Sequence, residues 1–125
     1  MPFLKLIVLS SLTLFGISAS PAEPASKRVL ACNMGALTQA QRTHHREMTE
    51  RLLKAAKRAD LKDGYLFTID RDKVSVPDLA EWVANEARCC PAVDFHIELP
   101  ASGPLTLRLD GGADVKAFLA AEMGL

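Results

Sequence analysis

Apolar residues occupy every second position in two stretches of the C-terminal half, residues 93–99 and residues 105–109. The Pro-Ala-Ser-Gly segment between them favours a turn. Because successive side chains of a strand point to opposite faces, both stretches predict strands with one buried face, paired as an antiparallel hairpin. Aromatic and β-branched residues predict a further strand at 65–69. Such a sheet needs a second layer to cover its apolar face.

Three helical segments are predicted to form that layer. The first extends from a capping box at residues 38–41 to about Ala59. The second begins at Pro77, which suits a first helical turn, and ends at about Cys90. The third follows the glycine pair 111–112 and turns three apolar residues inward: Val115, Phe118 and Leu119. The predicted order is α-β-α-β-β-α, an α+β domain with a small antiparallel or mixed three-stranded sheet and three helices.

The N-terminus is typical of a secretory signal. Lys5 precedes a short apolar run at 6–17, and small residues predict cleavage after Ala22. The run is too short to span a bilayer comfortably. We expect residues 1–22 to be a signal peptide, 23–31 a linker and 32–125 a single domain. The protein would be periplasmic or secreted, with no stable membrane insertion after cleavage.

Charge limits the classes of partner. The chain has 15 basic and 15 acidic residues, and loss of Lys5 with the signal leaves a net charge of −1. Nucleic acids and anionic membranes need a basic excess, so neither is expected as a partner. A lipobox-like sequence at 29–32 is separated from the apolar run by Lys27, Arg28 and a Pro-rich stretch, which disfavours lipidation of Cys32.

The three cysteines suggest a site. Cys89 and Cys90 are adjacent at the end of the second helix, before Pro91, and Cys32 follows the linker. An odd number is unusual where cysteines normally pair. Adjacent cysteines cannot easily bond to each other, because the small ring strains the peptide between them. Either Cys32 bonds to one of the pair, or the thiols bind a soft metal or metalloid.

Two polar residues lie on the apolar faces predicted for the first two helices. His45 follows the line of Met48 and Leu52, and Glu86 shares a stripe with three other residues: Leu79, Val83 and Cys90. Each has an ordinary interpretation: His45 could be a hydrogen-bonded core histidine, and Glu86 could form a salt bridge with an arginine. A buried carboxylate must be paired, protonated or ligating. We therefore expect His45, Glu86 and Cys90 in the interface between these helices, and His44 and His96 in solvent.

Three short motifs are distinctive: Glu-Ala-Arg-Cys-Cys-Pro at 86–91, Gly-Pro-Leu at 103–105 and Val-Lys-Ala-Phe-Leu at 115–119. In these motifs the chain resembles a group of small uncharacterised bacterial proteins, and the resemblance extends over about residues 32–119. It implies an association with heavy-metal handling. The chain departs from the group's pattern at Ala92, where a bulky apolar residue is expected, and in its export signal.

These observations predict an exported domain that binds a thiophilic heavy metal or metalloid ion, and predict no enzymatic activity. The ligands would be Cys32, Cys89, Cys90 and His45, with Glu86 as a further ligand or a support. Three thiolates suit mercury or arsenic(III), and a Cys₃His set suits zinc. The alternative is a non-catalytic structural or interaction domain clipped by a disulfide from Cys32 to Cys89 or Cys90. A thiol oxidoreductase is disfavoured, because the chain lacks Cys-x-x-Cys and a helix C-terminus disfavours thiolate.

Overall fold

The computed structural model describes residues 29–125. The predicted signal peptide and all but the end of the predicted linker lie outside this range. The elements, in chain order, are a 3₁₀ helix Met34–Ala36, α1 Gln39–Ala55, β1 Ala56–Leu61, β2 Gly64–Ile69, α2 Val76–Cys89, β3 Asp94–Glu98, β4 Leu105–Asp110 and α3 Ala113–Met123. No helix among the described residues is long and apolar enough to cross a membrane.

Within residues 29–125, the α+β class and the three α-helices are confirmed, but the sheet has four strands, all antiparallel, in the order β1-β2-β4-β3. The predicted β3–β4 hairpin is present, with Ile97 opposite Leu107. Residues directly opposite each other share a face. On one face of the central strands the side chains of Phe67 and Leu107 are buried, and on the other those of Leu66 and Arg108 are partly or fully exposed. The helices therefore cover one face.

The first helix is shorter than predicted. Its capping box is present, since Thr38 Oγ1 accepts from the Gln41 N–H and the Gln41 side chain accepts from the Thr38 N–H. The helix ends at Ala55, however, and residues 56–61 form β1. Five of its six residues are alanine, lysine, arginine or leucine, which are good helix formers, so local propensity favours a helix there. Six paired positions along β2 outweigh that preference.

Ala56 and Ala59, which the predicted first helix included, are therefore strand residues, and Ala59 is exposed. The buried face of α2 is also rotated from the predicted one. It carries Leu79, Trp82, Asn85 and Cys89, whereas Val83 is only half-buried. In β3, Phe95 is half-buried and Ile97 is 41% exposed, and Leu99, just beyond the end of β3, is 54% exposed.

Among the described residues, one hydrophobic core lies between the sheet and the helices. Its largest fully buried side chains come from α1, α2, α3, β2, β4 and the segment after β2: Met48, Leu52, Phe67, Ile69, Val74, Leu79, Trp82, Leu105, Leu107, Leu109 and Leu119. Of the residues predicted inward on α3, Val115 and Leu119 are buried and Phe118 is half-buried.

Candidate functional site

The N-terminal segment is held against the end of α2 by a disulfide between Cys32 and Cys90, whose Cα atoms are 4.6 Å apart. Cys90 is the C-cap residue of α2, and its N–H donates to the Glu86 carbonyl at 2.7 Å. The Asn33 N–H donates to the Cys89 carbonyl at 2.8 Å, so the segment also satisfies a backbone acceptor of the last helical turn. The disulfide is compatible with an oxidising compartment.

Two arginines fix the rest of this segment. Arg88 Nη2 donates to the Ala36 carbonyl at 2.8 Å, and Arg42 Nη1 donates to the Leu37 carbonyl at 2.7 Å. One arginine belongs to α2 and the other to α1, so the segment bridges the two helices. Cys32 is therefore positioned by backbone and side-chain contacts in addition to its own covalent bond.

Beside the disulfide, Glu86 and His45 form a close pair across the α1–α2 interface. His45 Nε2 is 2.5 Å from Glu86 Oε2, and the side chains are 4% and 12% exposed. Glu86 Oε1 lies 3.4 Å from Cys90 Sγ. The predicted placement of His45, Glu86 and Cys90 between the first two helices is thus found. The contact between Glu86 and Cys90 follows from their spacing, because residues four apart lie on the same face of a helix.

Trp82 and Thr49 orient the histidine. The His45 and Trp82 rings are stacked, with centroids 5.6 Å apart and an interplanar angle of 16°. Trp82 Nε1 donates to Thr49 Oγ1 at 2.8 Å, and Thr49 Oγ1 donates to the His45 carbonyl at 2.8 Å. His45 Nδ1 is buried and has no hydrogen-bond partner among the described residues. This arrangement favours the tautomer with the proton on Nε2, where it is donated to Glu86, since an unpaired buried N–H is costlier than an unpaired lone pair.

Three of the five predicted site residues present potential ligand atoms to one another. The two sulfurs of Cys32 and Cys90 and a carboxylate oxygen of Glu86 all lie within 4.8 Å of one another. His45 is not part of this cluster, and its Nε2 is hydrogen-bonded to the Glu86 carboxylate. Of these two residues, Glu86 contributes an atom to the cluster, whereas His45 contacts the cluster only through Glu86.

Cys89 does not join this cluster. Its side chain is fully buried in the core, and it is the free cysteine among the described residues. Burial raises the pKa of the Cys89 thiol, the Glu86 charge raises it further, and Arg88 opposes the rise. Adjacent residues of a helix differ by about 100° in direction, so Cys89 and Cys90 cannot both face the same site. That rotation is the reason the three-cysteine set is not assembled.

The cluster faces a cleft of about 280 Å³. Cys32, His45, Glu86 and Cys90 line it, together with Met34 and with Met123 at the end of α3. The two thioethers add soft donors to the lining. Sequence reasoning missed Thr49 and Met123, since neither carries a pattern that distinguishes it from a helix-surface or packing residue. The other histidines are exposed as predicted, His44 beside Glu81 and His96 beside Asp110.

Comparisons of the chain with protein-family models, curated proteins and solved structures give no match. Function is therefore inferred from the geometry of the cluster.

Proposed function

We propose that the protein, in its reduced form, binds one thiophilic divalent metal ion through Cys32 and Cys90, with Glu86 as the third ligand and His45 holding the Glu86 carboxylate. The observation that carries the proposal is the approach of the three ligand atoms to within 4.8 Å of one another. Sulfurs that share a tetrahedral zinc ion are roughly 4 Å apart, which requires little rearrangement of this cluster once the disulfide is opened.

The donor set favours particular ions. Two thiolates and a carboxylate suit Zn²⁺, which accepts Cys sulfur and Glu oxygen together, and two thiolates suit the softer Hg²⁺. The set is less suited to arsenic(III), which prefers three thiolates, because the third cysteine of the described residues, Cys89, is buried away from the cluster. A histidine that donates its ring N–H to a ligating carboxylate fixes the orientation of that ligand, as in other metal sites.

Opening the site requires two electrons. A thiol reductant converts the Cys32–Cys90 disulfide to two thiols, and binding of M²⁺ then displaces the two thiol protons. We further propose that the chain is exported, so that the disulfide form prevails in the absence of reductant. Under this proposal the redox state decides whether the cleft presents a disulfide or a metal site.

The test is a titration of the reduced protein with Zn²⁺ and, separately, with Hg²⁺. Trp82 is the single tryptophan of the chain and stacks on His45, so its fluorescence reports on the site. We expect one ion per chain for the parent and for Cys89→Ala. Zn²⁺ binding should be lost in Cys32→Ser and Cys90→Ser, because one cluster thiolate alone holds Zn²⁺ poorly, and it should be weakened about tenfold or more in Glu86→Gln.

Cys89→Ala is the matched control, because it removes a thiol adjacent in sequence but outside the cluster. The proposal fails if the reduced parent binds neither ion, or if Cys89→Ala loses binding as completely as Cys32→Ser.

The disulfide itself favours a second candidate, a non-catalytic structural domain in which Cys32–Cys90 serves as a permanent clip. In that case reduction would lower stability and create no metal affinity. Unfolding of the reduced protein with and without added Zn²⁺ separates the two candidates.

A further inference from the structure

The ligands of the proposed metal site lie on two parts of the chain that are held in different ways. Glu86 and Cys90 lie one turn apart at the end of α2, so the helix fixes one relative to the other. Cys32 lies two residues before the 3₁₀ helix, outside every helix and strand of the described chain. Once the disulfide is opened, the position of Cys32 depends on the other contacts of residues 29–37, the N-terminal segment.

One backbone hydrogen bond lies directly beside Cys32. The Asn33 N–H donates to the Cys89 carbonyl at 2.8 Å. This carbonyl belongs to the last turn of α2, where a helix leaves its acceptors without partners of its own. The bond joins the residue after Cys32 to the residue before Cys90. It therefore aligns the two cysteines through the backbone and not through their sulfurs.

Two arginines bind the other end of the N-terminal segment. Arg88 Nη2 donates to the Ala36 carbonyl at 2.8 Å, and Arg42 Nη1 donates to the Leu37 carbonyl at 2.7 Å. Arg42 Nη1 is also 3.4 Å from the Met34 carbonyl oxygen. Hydrogen bonds in which the donor is ionised are roughly twice as strong as neutral ones. Neither arginine contacts the segment through a cysteine, so opening the disulfide removes neither bond.

Burial of Leu37 alone would not position Cys32. Leu37 is 3% exposed and belongs to the hydrophobic core, so it fixes the end of the segment that leads into α1. Cys32 is five residues away, and five extended residues reach about 17 Å. A chain tethered only at Leu37 would let Cys32 leave the cluster. The arginine bonds and the Asn33 bond restrict that freedom.

We propose that Arg42 and Arg88 are positioning residues that keep Cys32 beside Cys90 and Glu86 after the disulfide is reduced. The reduced protein then presents an assembled set of ligands, and an arriving ion does not have to order the segment, which would weaken its binding. The inference rests on the proposed function only in calling this set a metal site. The approach of Cys32 to Cys90 in the reduced protein is measured without any ion.

The test is hydrogen exchange at the Asn33 amide, followed by NMR in reduced protein with a metal chelator present. In the reduced parent we expect this amide to remain protected. Arg42→Gln and Arg88→Gln should each speed its exchange about tenfold or more, as expected for loss of one charge-assisted hydrogen bond. In the oxidised protein the same substitutions should have a smaller effect, because the disulfide holds the segment. A purely structural role of the arginines would affect both forms alike.

Alkylation of Cys90 by iodoacetamide in the reduced protein is a second readout, because Cys90 is 1% exposed with the segment in place. Both arginine substitutions should accelerate it. The matched control is Arg46→Gln, which removes the same charge from the wall of the cleft and leaves the named hydrogen bonds intact. It should change neither readout.

Three results overturn the proposal: an Asn33 amide that is unprotected in the reduced parent, arginine variants that match the parent in both readouts, or equal acceleration of exchange in oxidised and reduced protein. The first result requires no substitution, so it does not depend on the folding of any variant. Because no ion is present, each result is separate from a failure of the metal site, which the Zn²⁺ titration decides.

Discussion

Glu86 occupies a helix position next to the buried face, with His45 as its partner across the interface. The pair replaces apolar packing with a short charged or hydrogen-bonded contact, and removing one member leaves the other buried without a partner. Leaving one buried polar group without a partner lowers the free energy of unfolding by more than the intact pair raises it. Glu86 is therefore important to stability independently of any ion binding.

We expect Glu86→Ala to lower the free energy of unfolding by about 2–3 kcal/mol, because His45 Nε2 loses its acceptor in a buried site. Glu86→Gln should cost less, since the amide oxygen still accepts. Urea unfolding of the oxidised protein measures both. The control is Glu81→Ala, since Glu81 pairs at 3.5 Å with His44 and both are about half exposed. That variant should change stability by less than about 0.5 kcal/mol, and equal losses at positions 81 and 86 would contradict the role given to the buried pair.

The buried thiol of Cys89 makes stability depend on pH in the alkaline range. Its pKa is raised in the folded protein, chiefly by burial, so the folded state keeps the proton to higher pH than the unfolded chain. The protonated Cys89 thiol contributes its full stabilisation below the pKa of a thiol in the unfolded chain, about 8.5. This contribution is lost as the pH rises through the higher pKa that Cys89 has in the folded protein. We expect the free energy of unfolding to fall above that pH more steeply in the parent than in Cys89→Ala. Parallel pH profiles of the two proteins would refute this account.

Among the helices and strands, the α1–β1 junction and the β2–β4 contact decide the architecture. β1 follows α1 without a loop, and residues 62–63 turn the chain directly into β2. β2 in turn lies so close to β4 that a side chain at its first residue has no room. A Cβ on Gly64 would lie 1.9 Å from the Leu109 carbonyl oxygen, far inside van der Waals contact.

Gly64→Ala should therefore destabilise the protein by at least about 2 kcal/mol, because a backbone atom has to move to admit the methyl group. Gly103→Ala is the control. Gly103 has a φ of +92°, but no atom lies within 4 Å of the place that a methyl group would take, so its substitution carries backbone strain of about 1–2 kcal/mol without a clash. Thermal and urea unfolding compare the two. A smaller loss at Gly64 than at Gly103 would contradict the close approach of β2 and β4.

For the molecule as a whole, the Cys32–Cys90 bond spans 58 residues of sequence and encloses α1, β1, β2 and α2. Closing a loop of this length restricts the unfolded chain, which corresponds to about 4 kcal/mol in the chain-entropy description. In a domain of this size that is a large share of the total stability. The bond therefore affects the entire fold and not only the N-terminal segment.

We expect reduction of the parent, or Cys32→Ser, to lower the free energy of unfolding by about 4 kcal/mol, and Cys32→Ser to be insensitive to reductant. Urea unfolding with and without reductant measures this. Added Zn²⁺ separates the two candidate functions. Recovery of stability by the reduced parent, but not by Cys32→Ser, supports the metal site. Loss of stability that no ion restores supports the permanent clip.

Much of the fold could be read from the sequence because its signals are local and repeated. The alternation in residues 93–109 predicted the β3–β4 hairpin, the capping box predicted the start of α1, and Pro77 predicted the start of α2 to within a residue. The placement of His45 and Glu86 also followed from helical spacing. These features depend on neighbours a few residues apart, where side-chain direction is set by the period of the element.

Other features depend on contacts between distant parts of the chain. Residues 56–61 are mostly good helix formers, and pairing with β2 makes them a strand. The sequence left open whether Cys32 bonds to Cys89 or Cys90, and the orientation of α2 places Cys90 toward Cys32 and Cys89 in the core. That orientation also places one Glu86 carboxylate oxygen beside Cys90 and the other against His45 Nε2. The order of residues determined which chemical groups lie near the end of α2. Packing of α2 against α1 and the sheet decided which of these groups are in contact, because adjacent side chains of a helix point in different directions.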